Sequence, residues 1–177
     1  MNKKMLAMIA VVSVAFLIFY GVRQGSESGG GNWQNDIKWA DAGLTKDQLA
    51  TGGKPVYLFF YTDWCTFCKK MERETFADAT VRKDLNDRFV AIAINPETAG
   101  VTHFMGEELS YKDLAARLGV NGYPASFFFT SEGKLIGGQP GYLEPALLAD
   151  LTQYVGGGYY TTYKFPDFQK LPKEKRS

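Results

Sequence analysis

The chain is short of three things that would narrow its function at once. It holds two cysteines, one histidine, and a net charge of only +1, with 20 basic residues against 19 acidic ones. Two cysteines cannot build a disulfide scaffold, so the fold must stand on packing. A 177-residue chain that is 45% hydrophobic and 15% aromatic has the apolar surface for one domain with a real core. His103 and the two cysteines fall short of the four ligands that structural zinc takes. A two-thiolate copper(I) site is what ligand softness alone leaves open. No metal or organic cofactor is expected. The balanced charge lacks the basic excess that phosphate binding needs, so no nucleic-acid partner is expected either.

The little cysteine there is stands in one place. Tyr61-Thr62-Asp63-Trp64-Cys65-Thr66-Phe67-Cys68-Lys69-Lys70 follows directly on the apolar run Val56-Tyr57-Leu58-Phe59-Phe60. A strand that delivers a Cys-x-x-Cys pair onto the first turn of a helix is the arrangement dithiol redox chemistry needs. The unsatisfied N–H groups and partial positive charge of a helix start both favour thiolate over thiol. At the free-cysteine pKa of ~8.5 about 3% is ionised at pH 7, whereas a pKa near ~7 ionises roughly half. Cys65 is therefore read as the nucleophile and Cys68 as the residue that resolves the mixed disulfide. The plainer alternative is a redox-silent buried pair.

One long hydrophobic run is present, from Met5 to Val22, with Lys3 and Lys4 before it and Arg23 after. At ~1.5 Å per residue it spans roughly 27 Å, the short end for a membrane helix. Residues 1–23 are expected to be a cytoplasmic N-terminus and transmembrane anchor through 5–22, with the lysines holding the N-terminus inside and the domain outside. The rival is a cleaved signal peptide, with Ser26-Glu27-Ser28 as an acceptable site. Either way the domain is exported. Residues 24–36, rich in glycine and serine, read as a flexible linker.

Further along, Ile37-Lys38-Trp39 reads as a short strand and Leu44 to Ala50 as a helix. Val56 to Tyr61 is too uniformly apolar for an edge strand and is expected at the centre of the sheet. Thr62 or Asp63 is expected to cap the next helix, which runs to about Phe76. Asp78 caps another at Ala79 to Asn86, and Phe89 to Ile94 is a second buried strand. Asn95 to Ser110 reads as a loop, followed by a helix from Tyr111 to Leu118 capped by Ser110 and stopped at Gly119. Ala125 to Thr130 and Leu135 to Gly138 flank a hairpin turn at Ser131-Glu132-Gly133-Lys134. A last helix covers Leu143 to Tyr154. Alternating strands and helices, then a hairpin and a helix, give an α/β domain at 37–155 with a mixed sheet flanked by helices.

With these elements placed, the chain resembles the thioredoxin superfamily. Three features carry the resemblance: Trp64-Cys65-x-x-Cys68-Lys69 after a buried strand, Gly122-Tyr123-Pro124 before the Phe127-Phe128-Phe129 strand, and the Gly133 hairpin with its closing helix. The stretch Tyr61-x-Asp63-Trp64-Cys65-x-x-Cys68-Lys69-x-x-Glu72-x-x-Thr75-Phe76 is also similar to the periplasmic thioredoxin-like domain of DsbD-type disulfide-interchange transporters. The resemblance is to that domain alone and implies its chemistry rather than the transporter's whole pathway.

What it implies is a thioredoxin-like fold and a thiol:disulfide oxidoreductase of the cell envelope that reduces disulfides of exported proteins. The same fold working as a disulfide oxidase or isomerase, or a redox-silent client-binding module, are the alternatives. The implied partners are exported disulfide-containing proteins and a membrane electron-donor protein, and the implied place is the periplasmic side of a bacterial inner membrane. Pro124 is expected in the cis form beside the dithiol, leaving nearby backbone groups to pair with an extended substrate. Tyr123 either touches that substrate or covers the sulfurs, and Trp64 shields the dithiol. Two departures matter. The acidic residue that the family often places six positions before the first cysteine is Phe59 here, which leaves Glu72 as the implied proton relay. Between the cysteines stand Thr66 and Phe67, without the histidine that strong oxidants use, and this leans toward a reductant. His103 reads as an ordinary loop residue, with tuning of the dithiol as its alternative. The aromatic then basic tail at 156–177 either packs back on the domain or offers a partner-binding patch, and its last lysines and Arg176 read as solvated.

Overall fold

Five consecutive buried residues make Val56–Phe60 (β2) the centre of a five-stranded sheet in the computed structural model. The described residues are 37–42 and 53–176. The apolar run at 5–22, the linker at 24–36 and the helix expected from Leu44 to Ala50 lie outside them. Among the described residues no helix is long and apolar enough to cross a membrane. β2 pairs in parallel with Val90–Ile94 (β3), Leu58 opposite Ile92, and antiparallel with Ala125–Phe129 (β6), Leu58 opposite Phe127. Trp39–Ala40 (β1) and Leu135–Pro140 (β7) complete the order β1-β3-β2-β6-β7. The sheet is mixed, as the sequence led us to expect. β1 begins two residues late because the Trp39 N–H turns back onto the Ile37 carbonyl at 2.8 Å, a tight turn common at strand starts.

The expected loop at 95–110 instead contains a hairpin, Val101–Phe104 (β4) against Glu107–Ser110 (β5), with Phe104 opposite Glu107. Its two-residue turn holds Met105 at φ 54° and Gly106 at φ 85°. Two left-handed central residues match the twist of the flanking strands. A methionine there is uncommon, so Gly106 alone is left to mark the turn in the sequence.

The helix after β2 is Thr66–Lys70 (α1), continued by one π-helical stretch at Met71–Thr75 and closed by Phe76 N–H on the Met71 carbonyl at 2.8 Å. Neither Thr62 nor Asp63 caps it. The Thr62 carbonyl accepts the Cys65 N–H at 3.2 Å, so 62–65 is a turn and Cys65 itself becomes the cap. Ala79–Arg88 (α2) starts as expected, with Asp78 Oδ1 accepting from the Thr80 and Val81 N–H groups at 2.9 and 3.0 Å, and runs two residues further. Tyr111–Arg117 (α3) is capped by Ser110 Oγ, which accepts the Asp113 N–H at 3.1 Å. Pro145–Gly156 (α4) begins two residues late. Leu143 is buried ahead of it with its carbonyl taken by Thr75 Oγ1 at 2.6 Å, and Pro145 suits a first helical turn where no N–H is needed.

Alternation along β2 sorts the core. Tyr57 and Phe59 face α1, α2 and α4 and join Met71, Phe76, Leu85, Phe128 and Leu148. Val56, Leu58 and Phe60 face α3 and the hairpin and join Ile92, Ile94, Leu114 and Phe129. The tail packs back on α4: Phe168, in the short helix Phe165–Phe168 (α5), is fully buried, 5.3 Å from the Tyr154 ring and 5.0 Å from Tyr159. Arg176 is not solvated as expected. Its guanidinium lies 5.2 Å from the Phe168 ring, reaches Asp150 Oδ1 at 3.1 Å and the Leu171 carbonyl at 2.8 Å, and also bonds the Gln169 carbonyl.

Candidate active site

The chain leaves β2 at the C-terminal end of the parallel strands, where α/β sheets gather their sites. There the turn 62–65 sets Cys65 in an extended conformation (φ −71°, ψ 107°) immediately before α1. Cys65 and Cys68 are joined as a disulfide, their Cα atoms 5.2 Å apart. Cys65 Sγ accepts the Cys68 N–H at 3.0 Å, and the Cys65 carbonyl accepts the Lys69 N–H at 3.1 Å as the first helical bond. A thiolate on Cys65 would meet that same N–H. Hydrogen bonds to an ionised acceptor are roughly twice as strong as neutral ones, and the helix start adds its partial charge.

The pair is recessed. Cys65 is 3% and Cys68 6% exposed, while Trp64 at 65% and Phe67 at 58% stand out beside them. Trp64 is tethered rather than loose: its Nε1–H lies 3.0 Å from both carboxylate oxygens of Glu97. Its ring meets Tyr123 edge-on at a centroid distance of 6.0 Å. Burial, with the Glu97 charge second, raises the Tyr123 phenol above its ordinary value. The Tyr123–Pro124 bond is cis. The buried Pro124 has its carbonyl taken by the Gly141 N–H at 2.8 Å, so that carbonyl is not among the backbone groups open to a substrate.

Behind the disulfide a cavity of ≈ 180 Å³ opens to the surface, lined by Cys68 and Glu72 with Thr62, Asp63, Lys69 and the rings of Phe59 and Tyr61. Glu72 is half-buried there, on the helix that carries the cysteines. Phe59 offers no proton acceptor. It stacks on Tyr61 at 6.0 Å and packs edge-on against Phe76 at 5.0 Å. A larger cavity of ≈ 410 Å³ between β7, α4 and the tail is lined by neither cysteine nor carboxylate. His103 is on β4, with Nε2 3.6 Å from Glu108 Oε2, among residues of the opposite sheet face. It is not brought to the disulfide.

The structure thus gathers Trp64, Cys65, Cys68, Glu72, Tyr123 and Pro124 at one end of the sheet. Sequence reasoning missed Glu97, which sits in a turn held by Asn95 Oδ1 accepting the Glu97 N–H at 3.0 Å. An exposed loop glutamate carries no signal in sequence that pairs it with an indole 33 residues away. It also took Thr62 or Asp63 for the cap that Cys65 provides.

A model of the thioredoxin-like domain family matches residues 44–156. Among curated relatives, the thiol:disulfide interchange protein DsbD of Photorhabdus laumondii is 40% identical over 105 residues, covering 59% of this chain and 15% of that protein. The DsbD of Escherichia coli K12 is 37% identical over 98 residues, covering 55% of this chain and 16% of that protein. The chain therefore spans only a small part of the length of these relatives. Among solved structures, a thioredoxin-fold protein from Helicobacter pylori superposes with a TM-score of 0.65 at 19% identity, covering 77% of this chain and 87% of that one. A thioredoxin from Thermus thermophilus gives 0.56 at 22% identity, covering 70% and 92%. These two likenesses show the fold. With a family model matching more than half its length, the chain belongs to the thioredoxin-like domain family.

Proposed function

We propose that the protein is a thiol:disulfide oxidoreductase of the cell envelope that reduces disulfides of exported proteins. The observation that carries this reading is the Cys65–Cys68 pair at a helix start, with Cys65 Sγ on the Cys68 N–H at 3.0 Å. In the dithiol form the Cys65 thiolate attacks one sulfur of a substrate disulfide in line with the other. That second sulfur leaves as a thiolate and takes a proton from water. Cys68 then loses its proton, with Glu72 as the nearby carboxylate, and its thiolate attacks Cys65 Sγ. The Cys65–Cys68 bond forms, the Cys65–substrate bond breaks, and the remaining substrate sulfur leaves and is protonated. Two electrons have passed from the dithiol to the substrate, and a membrane electron-donor protein restores the dithiol. Trp64 and Tyr123 form the rim over which a substrate approaches, with Pro124 beneath it.

The reductive direction is supported by Thr66 and Phe67, which place no histidine between the cysteines to stabilise the thiolate at the disulfide's expense. The names of the DsbD relatives, thiol:disulfide interchange proteins, support the same chemistry. The apolar run at 5–22 behind Lys3 and Lys4 supports an inner-membrane anchor with the domain in the periplasm. The test is a Cys68→Ser variant, which is expected to accumulate covalent mixed disulfides with client proteins through Cys65. If none form in cells, the mechanism fails. A reduction potential near ~−270 mV supports the reductase, and one near ~−120 mV selects the oxidase instead.

A further inference from the structure

Thr62 is 1% exposed, and its Oγ1 has no hydrogen-bond partner among the described residues. Its backbone is in use, the carbonyl accepting the Cys65 N–H at 3.2 Å to form the turn that sets the nucleophile. Thr62 is among the residues that line the ≈ 180 Å³ cavity with Cys68 and Glu72, which sets this buried hydroxyl in the cavity's wall. One water needs only ~10–15 Å³ of such space and two or more polar partners. A buried hydroxyl without a partner is costly, and a water placed here would satisfy it.

The resolving step must dispose of a proton from this same place. Inward, toward the sheet, Cys68 shares its core cluster with Phe59 and Phe76, whose side chains offer no proton acceptor. The titratable groups at the cavity are Tyr61 and Asp63 from the turn and Lys69 and Glu72 from the helix. Tyr61 is not the acceptor, because burial and then the Asp63 charge hold its phenol protonated. Lys70 on α1, Glu74 in the π-helical stretch and Tyr142 before α4 are engaged with one another. Of the two carboxylates at the cavity, Asp63 is exposed and Glu72 half-buried.

We infer that the Thr62 hydroxyl holds the water through which Cys68 passes its proton to Glu72, making Thr62 a positioning residue for the resolving step. This rests on the oxidoreductase reading above. The Cys68 S–H proton moves to the water and on to the Glu72 carboxylate. The Cys68 sulfur, keeping the electron pair, bonds to Cys65 Sγ, and the substrate sulfur leaves and takes a proton from solvent.

The test uses the reduced full chain and dithiobis(nitrobenzoate), which releases one coloured thiolate when Cys65 attacks and a second when Cys68 resolves. Thr62→Val is expected to leave the first release as in wild type and slow the second about tenfold at neutral pH. Its pH profile is expected to move up by about one unit, the equivalent of that tenfold change. Thr62→Ser is expected to restore both. An unchanged second release in Thr62→Val overturns the inference. So does an equal loss in both releases with the pH profile unmoved, which would mark a merely structural residue. A higher melting temperature for oxidised Thr62→Val with no change in profile also overturns it, since it would mean a dry hydroxyl. A wild type that gives no second release overturns the oxidoreductase reading and this inference together.

Discussion

Leu58 and Phe59 are neighbours on β2, both buried, yet they support different halves of the molecule. Leu58 faces α3 and the hairpin in a layer with Val56, Ile92, Ile94 and Leu114, beside the rings of Phe60 and Phe129. Phe59 faces the disulfide side, in an aromatic layer where its ring lies 6.2 Å from Trp39 and 5.0 Å from Phe76. Both layers bury apolar surface. The Phe59 layer alone shares its contacts with Cys65, Cys68 and Met71. Both layers hold aromatic pairs, worth about 0.5–1.5 kcal/mol each beyond area, so the cysteines rather than the rings set the two apart. One face of the sheet therefore holds the fold, and the other holds both the fold and the geometry of the reacting sulfurs.

The sharpest way to break that comparison is to truncate both residues. Phe59→Ala should cost about 3–5 kcal/mol and Leu58→Ala about 2–5 kcal/mol in denaturant unfolding. Only Phe59→Ala should also change the alkylation rate of Cys65 in the folded, reduced protein. Equal effects of the two on Cys65 would erase the distinction between the faces.

A polar pair hidden in the Phe59 layer gives the next effect. Tyr57 is fully buried with its hydroxyl 2.9 Å from Ser126 Oγ. Burial raises its phenol well above the ordinary value, with the Ser126 bond opposing. Because the folded state raises this value, the contribution is fully present below the unfolded pKa of about 10 and is lost as pH climbs beyond it. Alkaline unfolding should therefore begin above about pH 10, and Tyr57→Phe with Ser126→Ala should make that limb shallower. At neutral pH the double variant should stay within about 1 kcal/mol of wild type, since both partners are removed together. An alkaline limb of unchanged steepness would mean that Tyr57 is not its source.

The smallest expected effect lies at the rim. Glu97→Ala releases the Trp64 indole from a surface contact of about 0.2–1 kcal/mol, so kcat/KM with a protein disulfide should change by roughly two- to fivefold. Stability should move by no more than about 1 kcal/mol, the worth of that contact. A Tm loss comparable to that of Phe59→Ala would mean that Glu97 belongs to the frame rather than to the rim.

Much of this was legible in the sequence for a physical reason. Unbroken apolar runs at Val56–Phe60 and Val90–Ile94 admit little other than strands covered on both faces. Asp78 and Ser110 announced helix starts because their side chains satisfy donors that nothing else reaches. The cysteine pair marked its own site. What escaped depends on three-dimensional neighbours. The β4–β5 hairpin turns through Met105, whose type gives no hint of a left-handed backbone. Cys65 took the capping place from Thr62 because the preceding turn spends the Thr62 carbonyl on the Cys65 N–H. Trp64 meets Glu97 only because β2 and β3 end side by side, and no local pattern records that. The fate of Arg176 likewise needed Asp150 and Phe168 to be seen at its side.

The central claim is that Cys65 is a sulfur activated by the helix start it caps. Measuring the rate of iodoacetamide alkylation of the reduced Cys68→Ser protein against pH tests it directly, since Cys65 is then the single thiol. The account predicts an ionisation midpoint well below the ~8.5 of a free cysteine. A midpoint at or above that value, with rates matching a model thiol, would contradict it.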